Sequence, residues 1–357
     1  MREEENAVTV VIPNYNGMKY IKDCLDGLLA GSMLPEIIVV DNASDDGSFE
    51  FVRDNYPQVT LLRLKANTGF CHAVNSGLRI TRTEFVMLLN NDTKVDPGCV
   101  RSLYTALIQS QRAFSVQAKM LSMQDPDVID DAGDLYCALG WGFARGKAQQ
   151  ADRYDTPCEI FSACAGAAMY RRGIFDRIGY FDERHFCYLE DVDIGYRARI
   201  WGYHNLYEPS AIVLHAGSAS SGAVHNAFKE RMTAGNNRYL LWKNMPAFQY
   251  VINLPLILAG ERIKQNYFAR QGLGDAWRDG LTRGSFLIER AKYGDEMRRL
   301  DSPEKGTIWE ESGTEEGTEL IHPLYLGGKV PYSPLHFFHY FAIQFALWKN
   351  MGRRLQG

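Results

Sequence analysis

Four short runs, "AVTVVIP", "EIIVVD", "VTLLRL" and "FVMLLN", constrain the fold of this chain more than any other feature. Each is dense in β-branched or large apolar residues. Apolar residues at consecutive rather than alternate positions mark strands buried on both faces. Between the first two runs, Tyr20, Ile21, Cys24, Leu25, Leu28 and Leu29 recur at helical spacing. "FCHAVNSGLRI" supplies a second helix after the third run. Asp96-Pro97 predicts a helix with Pro at its first position, lined by Val100, Leu103, Tyr104 and Leu107. "FSVQAK" reads as a fifth strand. Strand–helix alternation of this kind requires an α/β fold, a mostly parallel central sheet flanked by helices on both faces. Such sheets bind ligands beyond the carboxyl ends of their strands. The residues at those ends are Pro13-Asn14-Tyr15-Asn16, Asp41-Asn42, Asn67 and Asn90-Asn91-Asp92.

A chain of 357 residues with 46% hydrophobic content can bury one large core or two ordinary ones. The net charge of −4 gives no case for nucleic-acid binding. That charge is uneven. Residues 223–357 carry 18 basic and 14 acidic side chains, a net of +4, so residues 1–222 carry −8. The seven cysteines are scattered, with no CxxC pair, as in reduced protein of a cytosolic compartment. The N-terminal "MREEENAVTV" is acidic and has no apolar core, unlike a secretory signal. "MPAFQYVINLPLILAG" is apolar but short, and is interrupted by Gln249, Asn253 and two prolines. It reads as a buried helix or a membrane-surface segment. Residues 121–160 read as a long irregular loop or small insertion, of the kind that is more often functional than idle. Residues 301–320 are acidic and Gly-rich, as in a mobile linker. "LHFFHYFAIQFALWKN" is aromatic enough for a docking or interfacial helix.

Asp41 and Asp92 each follow a strand. Alone, either reads as a helix cap or Asx-turn. As a pair after successive strands they point to a site in one crevice. Asp41 could accept from a base N–H, and Asp92 could ligate a divalent cation shared with the phosphates of a nucleotide. Hard oxygen ligands of this kind suit Mg²⁺ or Mn²⁺. Glu190, Asp191 and Asp193 crowd ahead of a helix in "FCYLEDVDIGYRARIWGY". The helix dipole alone accounts for Asp193. An acidic pair there could also hold a general base. His215 ends "SAIVLH", where a lone histidine is more often structural, though a neutral imidazole beside a carboxylate can complete a metal site. GxxxxGK[ST], GxGxxG, GxSxG and zinc-type Cys/His spacings are absent.

Six motifs in order resemble glycosyltransferase family 2, and within it the rhamnosyltransferase-like branch. They are "VTVVIPNYNG", "IIVVDNASDDGS", "NTGFCHAVNSGL", "LLNNDT", the stretch from "GAAMYRRGIFDRIGYFDERHF" through "CYLEDVDIGYRARIWGY", and "VLHAGS". The resemblance covers residues 7–245 and implies a GT-A fold, a nucleotide-diphosphate sugar donor and an inverting mechanism. It implies that Pro13, Tyr15 and Asp41, with the neighbouring Asn16, line the base and ribose pocket. Asn67 and Gly69 would lie near the nucleotide and donor sugar. Asn90, Asn91 and Asp92 would occupy the DXD position, with Asp92 the metal carboxylate and His215 its partner. Asp191 would be the base, paired with Glu190. Asn90 departs from a strict DXD. One charge fewer predicts a weaker site, or one that depends on the bound nucleotide.

The branch favours dTDP-L-rhamnose, with UDP-galactofuranose, UDP-glucose and GDP-mannose as alternatives. The acceptor would be a hydroxyl of a cell-surface glycan or a polyprenyl-linked saccharide. Two other classes, a nucleotidyltransferase and an inactive assembly subunit, are less favoured. "IPNYNG" lacks the basic residue the first needs, and Asp92 and Asp191 are intact against the second. The expected organisation is a catalytic domain over residues 1–222 and a mainly helical region over 223–357. Residues 223–300 hold 13 basic and 7 acidic side chains interleaved with aromatics. That region suits either a membrane surface or a homo-oligomer. The expected location is cytoplasmic, with a peripheral seat on the cytoplasmic face of the inner membrane as the variant.

Overall fold

In the computed structural model, residues 7–217, 225–300, 330 and 336–356 are described. The first half alternates as its sequence requires. Strand β1 (Val8–Asn14) leads to α1 (Ile21–Leu29), β2 (Glu36–Asp41), α2 (Ser48–Asn55), β3 (Thr60–Arg63), α3 (Phe70–Ile80) and β4 (Phe85–Leu89). A short β5 (Thr93–Val95), α4 (Cys99–Gln109) and a ten-residue β6 (Ala113–Ser122) follow. β1, β2, β3 and β4 pair in parallel. Alternate residues of one strand feed different cores. Val10, Ile12, Met87 and Leu89 pack under α1 and α4. Val11, Val40, Val86 and Leu88 pack under α3. This is why these runs are apolar at every position. On α3, Gly77 permits contact with β1, since a Cβ there would lie 2.4 Å from Val11 Cγ1.

The rest of the sheet is mixed. β7 (Ile129–Asp131) pairs with β6, and β8 (Asp134–Cys137) and β9 (Trp141–Ala144) form a hairpin turning at Gly140, φ +71°. β10 (Cys158–Ile160) and β11 (Ala167–Arg171) precede α5 (Phe175–Ile178) and α6 (Glu190–Ile200). β11 lies antiparallel between β4 and β6. β12 (His204–His215) runs parallel to β6 and ends antiparallel to β5. Residues 121–160, expected to be irregular, thus hold several short strands. The expected helix at Pro97 starts instead at Cys99. Asp96 Oδ1 accepts from Gly98 N at 2.9 Å, so the carboxylate closes a turn ahead of the helix.

Helices α7 (Ala227–Asn244), α8 (Ala247–Arg270), α9 (Gly274–Leu300) and α10 (Phe337–Gln356) complete the chain. Leu240 and Leu241 of α7, Ile257 of α8 and Tyr340 and Leu347 of α10 share a core with Tyr136, Phe161, Val192 and Tyr196. A buried ion network ties α7 to α6. Lys243 Nζ donates to Asp182 Oδ2 at 2.8 Å and to Asp193 Oδ2 at 2.9 Å. Arg197 and Asn244 also bond Asp193. Asp193 is therefore fully buried in salt bridges, beyond what the helix dipole asks of it. No described helix is long and apolar enough to cross a membrane. The expected linker over 301–320 lies outside the described residues.

Candidate active site

The carboxyl ends of β1, β2 and β4 open into a cavity of about 870 Å³. At its floor Asn14 is fully buried. Its Nδ2 group faces Asp41 Oδ1 at 3.0 Å, Ser48 Oγ at 2.9 Å and Ser44 Oγ at 3.3 Å. Its Oδ1 accepts from Asn91 Nδ2 at 2.7 Å. Asn14 and Asp41 are register partners on parallel strands, so their side chains meet. Asp41 has no exposed surface, and its Oδ2 accepts from Ser44 N at 3.1 Å. Asp41 therefore does not line the cavity; it braces Asn14 beneath it. Asn16 also lies off the cavity, its Oδ1 accepting from Asp45 N at 3.0 Å.

Pro13, Tyr15, Asn67 and Gly69 do line it, as does Asn42, the other residue at the end of β2. Asn42 Nδ2 donates to Asn67 Oδ1 at 3.0 Å and to the Gly69 carbonyl at 3.2 Å, joining the β2 end to the turn before α3. Gly69 is required there. Its φ is +87°, and a Cβ would lie 2.6 Å from the Phe186 ring.

Asn90, Asn91 and Asp92 follow β4 on the same rim. Pairing of β5 with the end of β12 brings His215 opposite Thr93 and therefore beside Asp92. Asp92 Oδ1 lies 3.2 Å from His215 Nε2. On the other side of the ring, His215 Nδ1 is 2.7 Å from Asp130 Oδ2. Lys147 pairs with Asp130 in turn. Burial opposes charge on His215, but the bonds to Asp130 and Asp92 prevail and lift its pKa to about 9. This donor set fits a hard divalent cation. Asp92 and Nε2 converge on one point, and a carboxylate on the far nitrogen is the usual orienting partner of a ligating histidine.

Glu190 and Asp191, at the start of α6, line the same cavity. The loop before them is strained, with positive φ at Phe186 (63°), Tyr188 (71°) and Leu189 (65°). One side-chain amide ties three of its carbonyls together. Asn236 of α7, fully buried, donates to the carbonyls of His185, Cys187 and Tyr188 at 2.9, 2.8 and 2.7 Å. Arg283 of α9 holds Asn236 Oδ1 at 2.6 Å. Asp191 is hydrogen-bonded to Asp134, and burial pushes both carboxyls above the usual carboxylate range. Burial likewise raises Glu190 well above its ordinary value and Asp131 to about 6. Asp134 Oδ2 and Glu190 Oε2 are buried without a hydrogen-bond partner among the described residues. Asp131, Asp134 and Cys164 place potential ligand atoms within 4.8 Å of one another. Asp131 Oδ1 already accepts from Gln117 and Gly133 N, and Asp134 already bonds Asp191. We read the group as the surroundings of Asp191. None of Asp130, Asp131 and Asp134 was singled out by the sequence; the acidic pattern "IDDAGD" was the one available signal.

Residues 9–179 match the model of glycosyl transferase family 2. The chain is 28% identical over 255 residues to the N-acetylglucosaminyl-diphospho-decaprenol L-rhamnosyltransferase of Mycobacterium tuberculosis, covering 64% of this chain and 83% of that one. It is 24% identical over 283 residues to the low-salt glycan biosynthesis hexosyltransferase Agl10 of Haloferax volcanii, covering 74% and 86%. Among solved structures it is similar in fold to GalNAc-T7, determined with UDP, GalNAc and Mn²⁺. The TM-score is 0.56 at 16% identity, over 68% of this chain and 49% of that one. The central sheet with its flanking helices is accordingly a GT-A fold.

Proposed function

We propose that the chain, whose residues 9–179 match glycosyl transferase family 2, is a transferase of that family that moves L-rhamnose from dTDP-L-rhamnose to a hydroxyl of a polyprenyl-linked saccharide, inverting the anomeric centre. The observation that carries the reading is that the Asp92–His215 pair and the Asp191 carboxyl line one cavity. The mycobacterial relative, named for rhamnosyl transfer to a decaprenol-linked sugar, supports the choice of sugar and acceptor. UDP-galactofuranose, UDP-glucose and GDP-mannose are the competing donors. A lipid-linked acceptor would seat the enzyme peripherally on the cytoplasmic face of a membrane. Residues 1–222 would form the catalytic unit, with the helices after residue 223 packed on it.

Pro13, Tyr15, Asn42 and Asn67 would hold the base and ribose, with Asp41 positioning Asn14 from below. Gly69, Asn90 and Asn91 would face the diphosphate and sugar. Asp92 and His215 would hold Mg²⁺ or Mn²⁺, which when bound neutralises charge on the departing diphosphate. Asp191 would take the proton of the acceptor hydroxyl as its oxygen bonds the anomeric carbon and the bond to the phosphate oxygen breaks. A single displacement needs no enzyme nucleophile. Burial suits Asp191 to this task, since a raised pKa makes a carboxylate a stronger base. Asp134, hydrogen-bonded to it, would fix its orientation.

A donor panel assayed for hydrolysis and transfer, with and without Mn²⁺, tests the reading. The expected result is turnover of dTDP-L-rhamnose with metal, and loss of transfer but retained donor binding in Asp191→Asn. Full transfer by that variant would remove Asp191 from the mechanism. Turnover confined to another donor would remove rhamnose.

A further inference from the structure

A second cavity, of about 430 Å³, lies away from the first, between α10 and the strand β12 with the end of α6. Its walls are basic. Arg112, Arg199, Lys349 and Arg353 line it, with His204 and His339, against one carboxylate, Glu159. That carboxylate is committed, lying 2.7 Å from Arg199 Nη2 and 3.3 Å from His204 Nδ1. Among the described residues, Arg112, Lys349 and Arg353 have no ion-pair partner. An excess of cations converging on a concave surface asks for an anion.

The same helix presents a ridge of aromatic side chains beside that cavity. Phe338 is 79% exposed, Phe345 67%, and Phe337, Phe341 and Trp348 between 40% and 47%. Positions 338, 341, 345 and 348 follow helical spacing, so they form one stripe. Lys349 and Arg353, one turn apart, border it on the cavity side. Phe345 belongs to both, exposed on the ridge and lining the cavity. The opposite face of α10, with Tyr340, Ile343 and Leu347, is buried against the protein, so the helix lies flat with its ridge outward. Helix α8, joined to α10 through Asn253 to Gln344 and Trp348, adds Val251, Ile252 and Leu258, each more than half exposed.

We propose that this cavity is the headgroup site of an anionic phospholipid, and that the aromatic ridge of α10 enters the boundary of the bilayer beside it. Charge selects this occupant over a second copy of the chain. A two-fold contact through the ridge would bring Lys349 and Arg353 of each copy towards those of the other, and among the described residues the one acid lining the cavity, Glu159, is already paired with Arg199 and His204. A bilayer containing anionic lipid supplies phosphate to the cavity and an apolar layer to the ridge, the arrangement of an interfacial helix. The proposal goes beyond the reading of the active site and does not depend on which sugar or acceptor is used.

Sedimentation of the full chain with vesicles of phosphatidylcholine, alone or mixed with phosphatidylglycerol, provides the test. Binding should require phosphatidylglycerol and weaken with added salt. Each cation near an anionic surface contributes about fivefold, so Lys349→Gln with Arg353→Gln should weaken binding about 30-fold. Phe338→Ser with Phe345→Ser should weaken binding without changing its salt dependence. All four positions are exposed, and thermal melting of each variant checks that the fold is retained. Equal binding to both vesicle types, or binding indifferent to both double variants, would overturn the proposal. So would a dimer in solution that the Phe338→Ser, Phe345→Ser variant dissociates, because a second copy would then own the ridge.

Discussion

Asp130 is not itself a proposed metal ligand, yet the metal site should depend on it. Its Oδ2 lies 2.7 Å from Nδ1 of His215, and the two side chains are only 12% and 13% exposed. The bond is therefore little screened, and it fixes which ring nitrogen faces Asp92. Loss of such a partner typically weakens metal binding about 10- to 100-fold, or about 1.4–2.7 kcal/mol. Lys147 draws part of the Asp130 charge, which places the expectation for Asp130→Ala near the middle, about 30-fold. Asp130→Asn keeps an acceptor for Nδ1–H and should recover part of that loss. The assay is the Mn²⁺ dependence of donor hydrolysis. The half-saturating Mn²⁺ concentration should rise, while turnover at saturating Mn²⁺ stays near that of the parent. Unchanged Mn²⁺ dependence in Asp130→Ala would refute the orienting role. A fall in turnover that no Mn²⁺ concentration restores would place Asp130 in the chemistry instead.

Asn236→Ala removes three hydrogen bonds to the strained loop before Asp191 and should cost about 1–3 kcal/mol. Kinetically it should lower kcat with little change in donor KM, read from initial rates over donor concentration. Lys243→Met leaves Asp182 and Asp193 buried with fewer partners and should destabilise the fold by about 3–5 kcal/mol in urea unfolding. The same network sets an acid limit. Burial works against ionisation of Asp182 and Asp193, but Lys243 for the first, and Arg197 with Lys243 for the second, hold both far below the carboxylate range. A depressed native pKa adds stability above the unfolded value of about 3.9 and loses it as pH falls toward the native one. Unfolding free energy should therefore fall steadily below about pH 5, and less steeply in Lys243→Met, as urea titrations between acid and neutral pH would show.

In the parallel half of the sheet, β3 at the edge is only partly buried. There, β1, β2 and β4 were legible because they are buried on both faces and so are written as dense apolar runs. β11 was not, although "AAMYR" is equally buried. Its antiparallel place between β4 and β6 depends on pairings made far along the chain, which no local pattern encodes. The three- and four-residue strands of 121–160 were hidden for a different reason. They are too short to show a period, and their order comes from other elements: β6 for β7, β12 for β10 and the C-terminal helix α10 for β8. Asn350 of α10 donates to the Tyr136 carbonyl at 3.0 Å, and Leu347 packs with Tyr136. The charge count separates residues 1–222 from the remainder, but the packing runs across that boundary through Lys243, Asn236 and Leu240.

The site shows the same division between local and paired information. Asp92, Asp191 and His215 could be read because each stands at the end or start of a regular element. What distinguishes Asp92 from Asp41, two acids that look alike in sequence, is the residue beside each in space. Asp41 ends β2 in register with Asn14, whose amide occupies it, and Ser44 N takes its other oxygen. Asp92 lies beyond the end of β4, where the neighbour across the rim is an imidazole backed by a further carboxylate. A fully buried carboxylate already taken up by an amide, a backbone N–H and the Arg63 guanidinium at 3.6 Å is a brace. A carboxylate shared with a protonated imidazole is a place where a cation can replace a proton. The single charge in Asn90-Asn91-Asp92 is thus supplemented from outside the motif, by His215 and the Asp130 behind it. The two asparagines are better understood as shaping the rim: Asn91 locks onto Asn14, and Asn90 lies 3.4 Å from the same imidazole nitrogen.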